Sequence, residues 1–329
     1  MEKANLYVTE HGAVVGCSNE RLVVKRAGSV LASLPAERVN QIVILGNVIL
    51  TAQAVALVLD RAIPVAYLSA AGNYRGRIEP EGSRTGALRR NQSISLSNPS
   101  MCLKLASSVV SARISNSIVF CSRRSAVVPE GNLEIMRHMH RKALRAESIQ
   151  KLRGYEGAVS KLHFANLSHM LDSSLGFKQR VRVKPPDPVN SMLNLSYTLL
   201  YNQVRAAINL AGLDPYQGFM HVDEPGHASL ASDLIEPFRP LIGDSVVLSV
   251  INRHVLKKED FEETREGVRL RKDSLPKFMQ AFDRRMSTKV SYLRRGETIS
   301  WYRCLEFQAR DFAAALRNGG DFEPIVVRT

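Results

Sequence analysis

The chain has 329 residues, 45% of them hydrophobic, with 45 Lys and Arg against 31 Asp and Glu and a formal net charge of +14. That hydrophobic share excludes a disordered chain, no apolar run reaches the ~18 residues that span a bilayer, and the first residues lack the basic-then-apolar pattern of a secretory leader. A cytoplasmic protein of about two domains, with no membrane segment and an affinity for polyanions, nucleic acid foremost, is the expectation.

The first part of the chain, to about residue 85, reads as β-rich. Asn5-Leu6-Tyr7-Val8-Thr9 and Arg21-Leu22-Val23-Val24-Lys25 are short runs of β-branched and aromatic residues. Gln41-Ile42-Val43-Ile44-Leu45, then Gly46-Asn47, then Val48-Ile49-Leu50 read as two strands around a tight turn. Thr51 can N-cap an Ala-rich helix to about residue 61, and Pro64 opens another apolar strand at 65–68. Gly72, Gly76, Pro80, Gly82 and Gly86 punctuate the following stretch and set a domain boundary there.

Beyond it the pattern turns helical, with helices expected over 101–125, 133–171, 191–210, 230–241 and 298–317. Lys178, Arg180, Arg182 and Lys184, closed by Pro185-Pro186, form a basic loop. Cys17, Cys102, Cys121 and Cys304 are scattered without C-x-x-C spacing and read as reduced thiols. The fold class expected is α+β: a small β-rich N-terminal domain over 1–86, then a larger all-α C-terminal domain over 87–329.

Four side chains stand out: Glu156, His221, Asp233 and Glu236. Asp233 and Glu236 are spaced to share a helix face, and Pro237 after them disfavours helix and predicts a kink. A solvated acidic face paired with Arg239 fits the same spacing. His221 ends a loop in which Gly212 is the expected left-handed residue after a helix, Leu213-Asp214-Pro215 a turn, and Gly218 a point of close backbone approach. A lone histidine there is more often structural, but two carboxylates follow a short way downstream. Glu156 has Gly154 and Gly157 beside it, each weakening a helix by roughly 1 kcal/mol relative to Ala. Two such residues suggest that a ligand or another chain comes close; a surface Glu pairing with Arg153 or Ser160 also fits.

Two or three carboxylates and one neutral imidazole suit Mg²⁺ or Mn²⁺. In a chain this basic they point to metal-assisted chemistry on a phosphodiester. His138 and His140 lie in a basic run, and His227 is a weaker candidate for a further ligand. No Walker glycine loop, G-x-S-x-G elbow or H-E-x-x-H is present, which leaves ATP-dependent and serine-hydrolase readings without support.

Together these segments resemble the CRISPR-associated integrase family, Cas one. The resemblance rests on Leu6-Tyr7-Val8, Ile42-Val43-Ile44-Leu45-Gly46, Ile63-Pro64-Val65-Ala66-Tyr67-Leu68-Ser69, Gly72-Asn73-Tyr74-Arg75-Gly76-Arg77 and Arg89-Arg90-Asn91-Gln92. Downstream it rests on Leu152-Arg153-Gly154-Tyr155-Glu156-Gly157, Gly212-Leu213-Asp214-Pro215, Gly218-Phe219-Met220-His221 and Ser229-Leu230-Ala231-Ser232-Asp233-Leu234-Ile235-Glu236-Pro237-Phe238-Arg239-Pro240. Single pieces are weak; so many in one order are specific.

The resemblance implies that Glu156, His221 and Glu236 bind Mg²⁺ or Mn²⁺, with Asp233 either a ligand or the group behind one. It implies a homodimer built by the N-terminal domain, two dimers bridged by the small partner protein Cas two, and double-stranded DNA, both protospacer and CRISPR repeat, as substrate. The implied reaction is a transesterification in which a protospacer 3′-hydroxyl attacks a phosphodiester of the repeat array. One departure is His163, where relatives commonly carry an aromatic residue, which concerns local packing. Arg75, Arg77, Arg84, Arg89, Arg90 and the 178–184 loop would then neutralise phosphates. Two other readings remain: a metal-dependent repair or junction nuclease, and a non-enzymatic nucleic-acid-binding protein.

Overall fold

The computed structural model describes residues 4–69, 74–78, 80, 86–221, 224–292, 294 and 296–327. Gly72, Asn73, Gly82 and Arg84, named above, lie outside the described residues. The chain forms two compact units, Met1–Gly82 with Leu270–Asp283, and Ser83–Arg269 with Arg284–Thr329.

In the first unit, β1 (Ala4–Val8), β5 (Val39–Leu45), β7 (Val65–Leu68) and β8 (Tyr74–Ile78) form one four-stranded sheet in that order. β2 (Val14–Ser18), β3 (Arg21–Arg26), β4 (Ser29–Pro35) and β6 (Ile49–Leu50) form a second, ordered β4-β3-β2-β6. The two strands read from the sequence as flanking a tight turn are β5 and β6, and they do not pair with each other. β5 lies parallel to β1 and β7, whereas β6 lies parallel to β2 in the other sheet. The cause is visible in β5 itself: Ile42, Val43, Ile44 and Leu45 are all buried, and a strand covered on both faces takes parallel neighbours rather than a hairpin partner. Gly46-Asn47 therefore passes the chain between sheets. Thr51 caps α1 (Ala52–Asp60) as expected, accepting a hydrogen bond from Ala54 N at 3.3 Å. Leu6, Val15, Leu22, Ile42, Ile44 and Val58 anchor the core of this unit, each contributing about 1.5–3 kcal/mol by burial.

The second unit is built on α2 (Gly86–Leu96), α3 (Pro99–Ser122), α4 (Asn132–Ala143), α5 (Ile149–Met170) and α6 (Pro188–Leu210). α3 starts at Asn98, whose side chain accepts from Ser100 N and Met101 N, and it packs against α4 and α5. The helix expected over 133–171 is two helices. Ser148 adopts an extended backbone and accepts from Lys151 N, so it restarts the chain as an N-cap.

The helix expected over 230–241 is likewise divided. α7 (Ser229–Ile235) tightens into a 3₁₀ turn at Glu236–Phe238, widens into a π-type turn at Arg239–Asp244, and resumes as α8 (Ser245–Asn252). Pro237 and Pro240, which cannot donate to an α-ladder, account for the break. The α+β reading holds with one addition. The part expected to be all-α also carries two short hairpins, β9 (Phe261–Thr264) with β10 (Gly267–Leu270) and β11 (Lys289–Tyr292) with β12 (Glu297–Ser300). α9 (Leu275–Ser287) joins them, and α10 (Trp301–Asn318) follows, starting three residues later than the periodicity suggested.

His163 of α5 is fully buried beside Phe120, at 5.0 Å between ring centroids, so it fills the aromatic position by shape. Its Nε2 lies 2.8 Å from Asp244 Oδ2, and Tyr197 of α6 donates to the same carboxylate. Burial works against a charged imidazole, but the hydrogen bond and charge of Asp244 prevail and raise His163 to about 9; Asp244 is held below the usual carboxylate range. A histidine raised on folding stabilises fully below its unfolded value of about 6.5 and loses that contribution as pH climbs through about 9. Thermal stability should therefore fall on the order of 3 kcal/mol between those values. His163→Gln, which retains a donor but does not titrate, should flatten the slope in melts across this window. A flat wild-type curve would rule out a charged pair.

Candidate active site

Glu156 sits in the middle of α5 with its side chain about a quarter exposed, and Ser160, one turn on, donates to its Oε1 at 3.0 Å. Gly154 and Gly157 beside it face open space, since a Cβ on either would meet no atom within 4 Å. Among the described residues, the close approach expected at these glycines is therefore not made by another segment of the chain. Arg153 donates to Met220 O, tying α5 to the loop that carries His221.

That loop is folded around Asp233. The buried carboxylate accepts from Phe219 N at 2.6 Å and Met220 N at 3.1 Å through Oδ2, and from His221 N at 3.0 Å through Oδ1. Oδ1 also meets His221 Nδ1 at 2.6 Å. A carboxylate only accepts, so Nδ1 carries the proton and Nε2 keeps its lone pair in the neutral ring. Gly218 makes the wrap feasible: a Cβ there would come 2.7 Å from Asp233 Oδ2 and 2.9 Å from Ser229 Cβ. Gly212 has the left-handed backbone expected of it, φ 84°. Gln92 of α2, fully buried, pins the base of the loop by accepting from Asp214 N and donating to Asp214 O and Gln217 O.

Glu236 begins the 3₁₀ turn after α7 and is 6% exposed. Its Oε1 lies 2.9 Å from Arg239 Nε and its Oε2 3.4 Å from Arg113 Nε. Arg113, from α3, also stands 3.9 Å from Glu156 Oε1. Burial opposes its charge, but Glu236, Glu156 and Asp244 outweigh that and hold the guanidinium above its ordinary value. Asn116 fixes the turn itself, donating to Pro237 O at 2.8 Å.

Glu156, His221 and Glu236, from three separate segments, line one cavity of about 830 Å³. Asp233 stands behind His221 and does not line it. Basic side chains make up much of the remaining wall: Arg153, Lys161, Lys178, Arg180, Arg182 and Arg239. Arg180 is tied down, donating to Asn190 and Asn194 and lying over the Tyr197 ring, while Lys178 and Arg182 are exposed. His227, hydrogen-bonded to Ser232 at 2.9 Å, and His140, hydrogen-bonded to Ser111 at 2.8 Å, are not among the residues that line the cavity.

Among the described residues, no three or more His, Cys, Asp or Glu side chains stand close enough to enclose a metal ion as placed, and the Arg113 nitrogen lies between the two acids. The donor set nevertheless fits a divalent cation: two carboxylates, and an imidazole whose Nδ1–H is held by a carboxylate as in metal-ligating histidines.

A family model described as CRISPR associated protein Cas1 matches residues 6–284. The chain belongs to the Cas1 family. It is 35% identical over 326 residues to the CRISPR-associated endonuclease Cas1 3 of Thermus thermophilus, covering 98% of this chain and 97% of that one. Among solved structures, a casposase bound to an integration product matches with a TM-score of 0.85 at 24% identity, over 100% of this chain and 96% of the other. The Cas6-RT-Cas1–Cas2 complex matches with a TM-score of 0.86 at 22% identity, over 100% of this chain and 36% of that chain. At these identities the structural likeness carries the Cas1 fold. Within it, the sequence reading missed Arg113 as part of the site. A single arginine among small and apolar residues of a helix gives no periodic signal, and only α3 packing against α5 and the turn after α7 brings it there.

Proposed function

We propose that the chain is a metal-dependent DNA endonuclease and integrase of CRISPR adaptation, joining protospacer 3′-hydroxyls to the repeat array by transesterification. The observation that carries this reading is the cavity in which Glu156, His221 and Glu236 meet a basic wall. Glu156, His221 Nε2 and Glu236 would hold Mg²⁺ or Mn²⁺, which would polarise the phosphoryl group and acidify the attacking hydroxyl. Asp233 orients His221 and, by accepting from Nδ1–H, fixes the tautomer of the neutral ring in which Nε2 is the free nitrogen. Lys178 and Arg182, exposed beside the acids, would take phosphate oxygens and set the scissile bond against the site. With water in place of the hydroxyl, the same arrangement cuts.

A homodimer through the N-terminal unit is part of the reading. The edge strand β4 exposes Val30 and Leu31, apolar surface that a second copy could cover. The complex that includes Cas2 among the fold's neighbours supports a small bridging partner. Incubating the protein and its partner with a duplex bearing free 3′-hydroxyls and a supercoiled repeat plasmid tests the reaction. Joined products that need Mg²⁺ or Mn²⁺ are expected, and cutting without joining would leave a simple nuclease.

A further inference from the structure

Arg113 reaches the gap between the two acids from the middle of α3 and is 3% exposed. Its terminal nitrogens are anchored from two helices, Nη1 on Ser117 Oγ and Nη2 on Ser160 Oγ, each at 3.3 Å. The anchors are themselves fixed: Ser117 donates to Arg113 O and Ser160 donates to Glu156. This leaves Nε 3.4 Å from Glu236 and 3.9 Å from Glu156 with no hydrogen bond to either. A buried donor held unpaired is costly. Its position is explained by charge, since two ionised carboxylates converging on one point need a cation between them.

Resting on the metal reading above, we propose that Arg113 is a resident counter-cation of Glu156 and Glu236. It holds the two carboxylates together in the metal-free protein, and an incoming divalent ion must share them with it. A guanidinium stays charged at every working pH, and like charges this near repel strongly where water is excluded. Metal binding to the free protein is weakened as a result. A phosphodiester entering the same cavity brings negative charge that offsets the repulsion, so DNA and metal strengthen each other's binding.

The test is a Mn²⁺ titration of the metal-free protein, followed by the electron paramagnetic resonance signal of free Mn²⁺, with and without a DNA duplex. Without DNA, Arg113→Met should bind Mn²⁺ about tenfold or more tightly than wild type, and Arg113→Lys should stay close to it. The duplex should improve Mn²⁺ binding less in Arg113→Met than in wild type. Arg113→Gln keeps a polar head for Ser117 and Ser160 and repeats the comparison should Met at this position impair folding. Unchanged or weaker Mn²⁺ binding in the folded neutral variants overturns the inference while leaving the metal site standing. If Glu156→Gln and Glu236→Gln bind Mn²⁺ as well as wild type does, the metal reading fails and the inference falls with it.

Discussion

Glu156→Gln and His221→Ala should each lower strand transfer by about 10³-fold or more, while melting close to wild type and still binding duplex DNA. Both side chains are partly exposed at the cavity, so the fold gains little from them. Glu236→Gln should be equally inactive but also less stable. Its carboxylate separates two arginines, Arg113 and Arg239, whose side chains are 4% and 16% exposed. Removing one member of a buried ion pair costs on the order of 3–5 kcal/mol. Asp233→Asn should lose stability and activity together, because three backbone N–H groups and the His221 ring converge on its two oxygens. Parallel measurement of strand transfer, duplex binding and melting separates these classes. Full integration by Glu156→Gln in Mg²⁺ would remove the site assignment.

Local patterns made the acids and the histidine candidates, with glycines beside Glu156, a loop of turn residues before His221 and a proline after Glu236, and the family resemblance grouped them as one set. Their convergence was not written in any one of those patterns. It depends on Asp233 reaching back to the loop before α7 and on Arg153 reaching from α5 to Met220. The kink at Pro237 followed from proline chemistry, but its form did not; Asn116, far away on α3, is what fixes Pro237 O. In the N-terminal unit, runs of β-branched and aromatic residues identified β1, β3, β5, β6 and β7 but not β2, β4 or β8, and pairing was misread at Gly46-Asn47. A turn signal says that the chain bends, while the sheet a strand joins is set by which faces it must bury. The split of 133–171 at Ser148 was overlooked because no Gly or Pro stands between Leu133 and Arg153 to mark a break; the serine that caps the second helix is the local signal there.

Duplex binding should weaken on the order of 10³-fold between 50 and 200 mM salt if about six phosphates are neutralised, with little preference among sequences. The net charge of +14 makes such contacts available, and the cavity wall identifies which to remove. Lys178 and Arg182 are exposed beside the acids, and Arg89 and Arg90 are exposed on α2. Lys178→Ala with Arg182→Ala should lower affinity evenly across unrelated duplexes and reduce the salt slope by about two. Arg180, equally basic by sequence, is a poor choice for this measurement. Its guanidinium is committed to Asn190 and Asn194, so Arg180→Ala would loosen the loop and confuse lost packing with lost charge. Glu156→Gln removes a group that faces a cation and should leave the slope nearly as it was. Binding that ignored salt and selected strongly among sequences would mean that base edges carry the recognition and that the surplus charge serves some other partner.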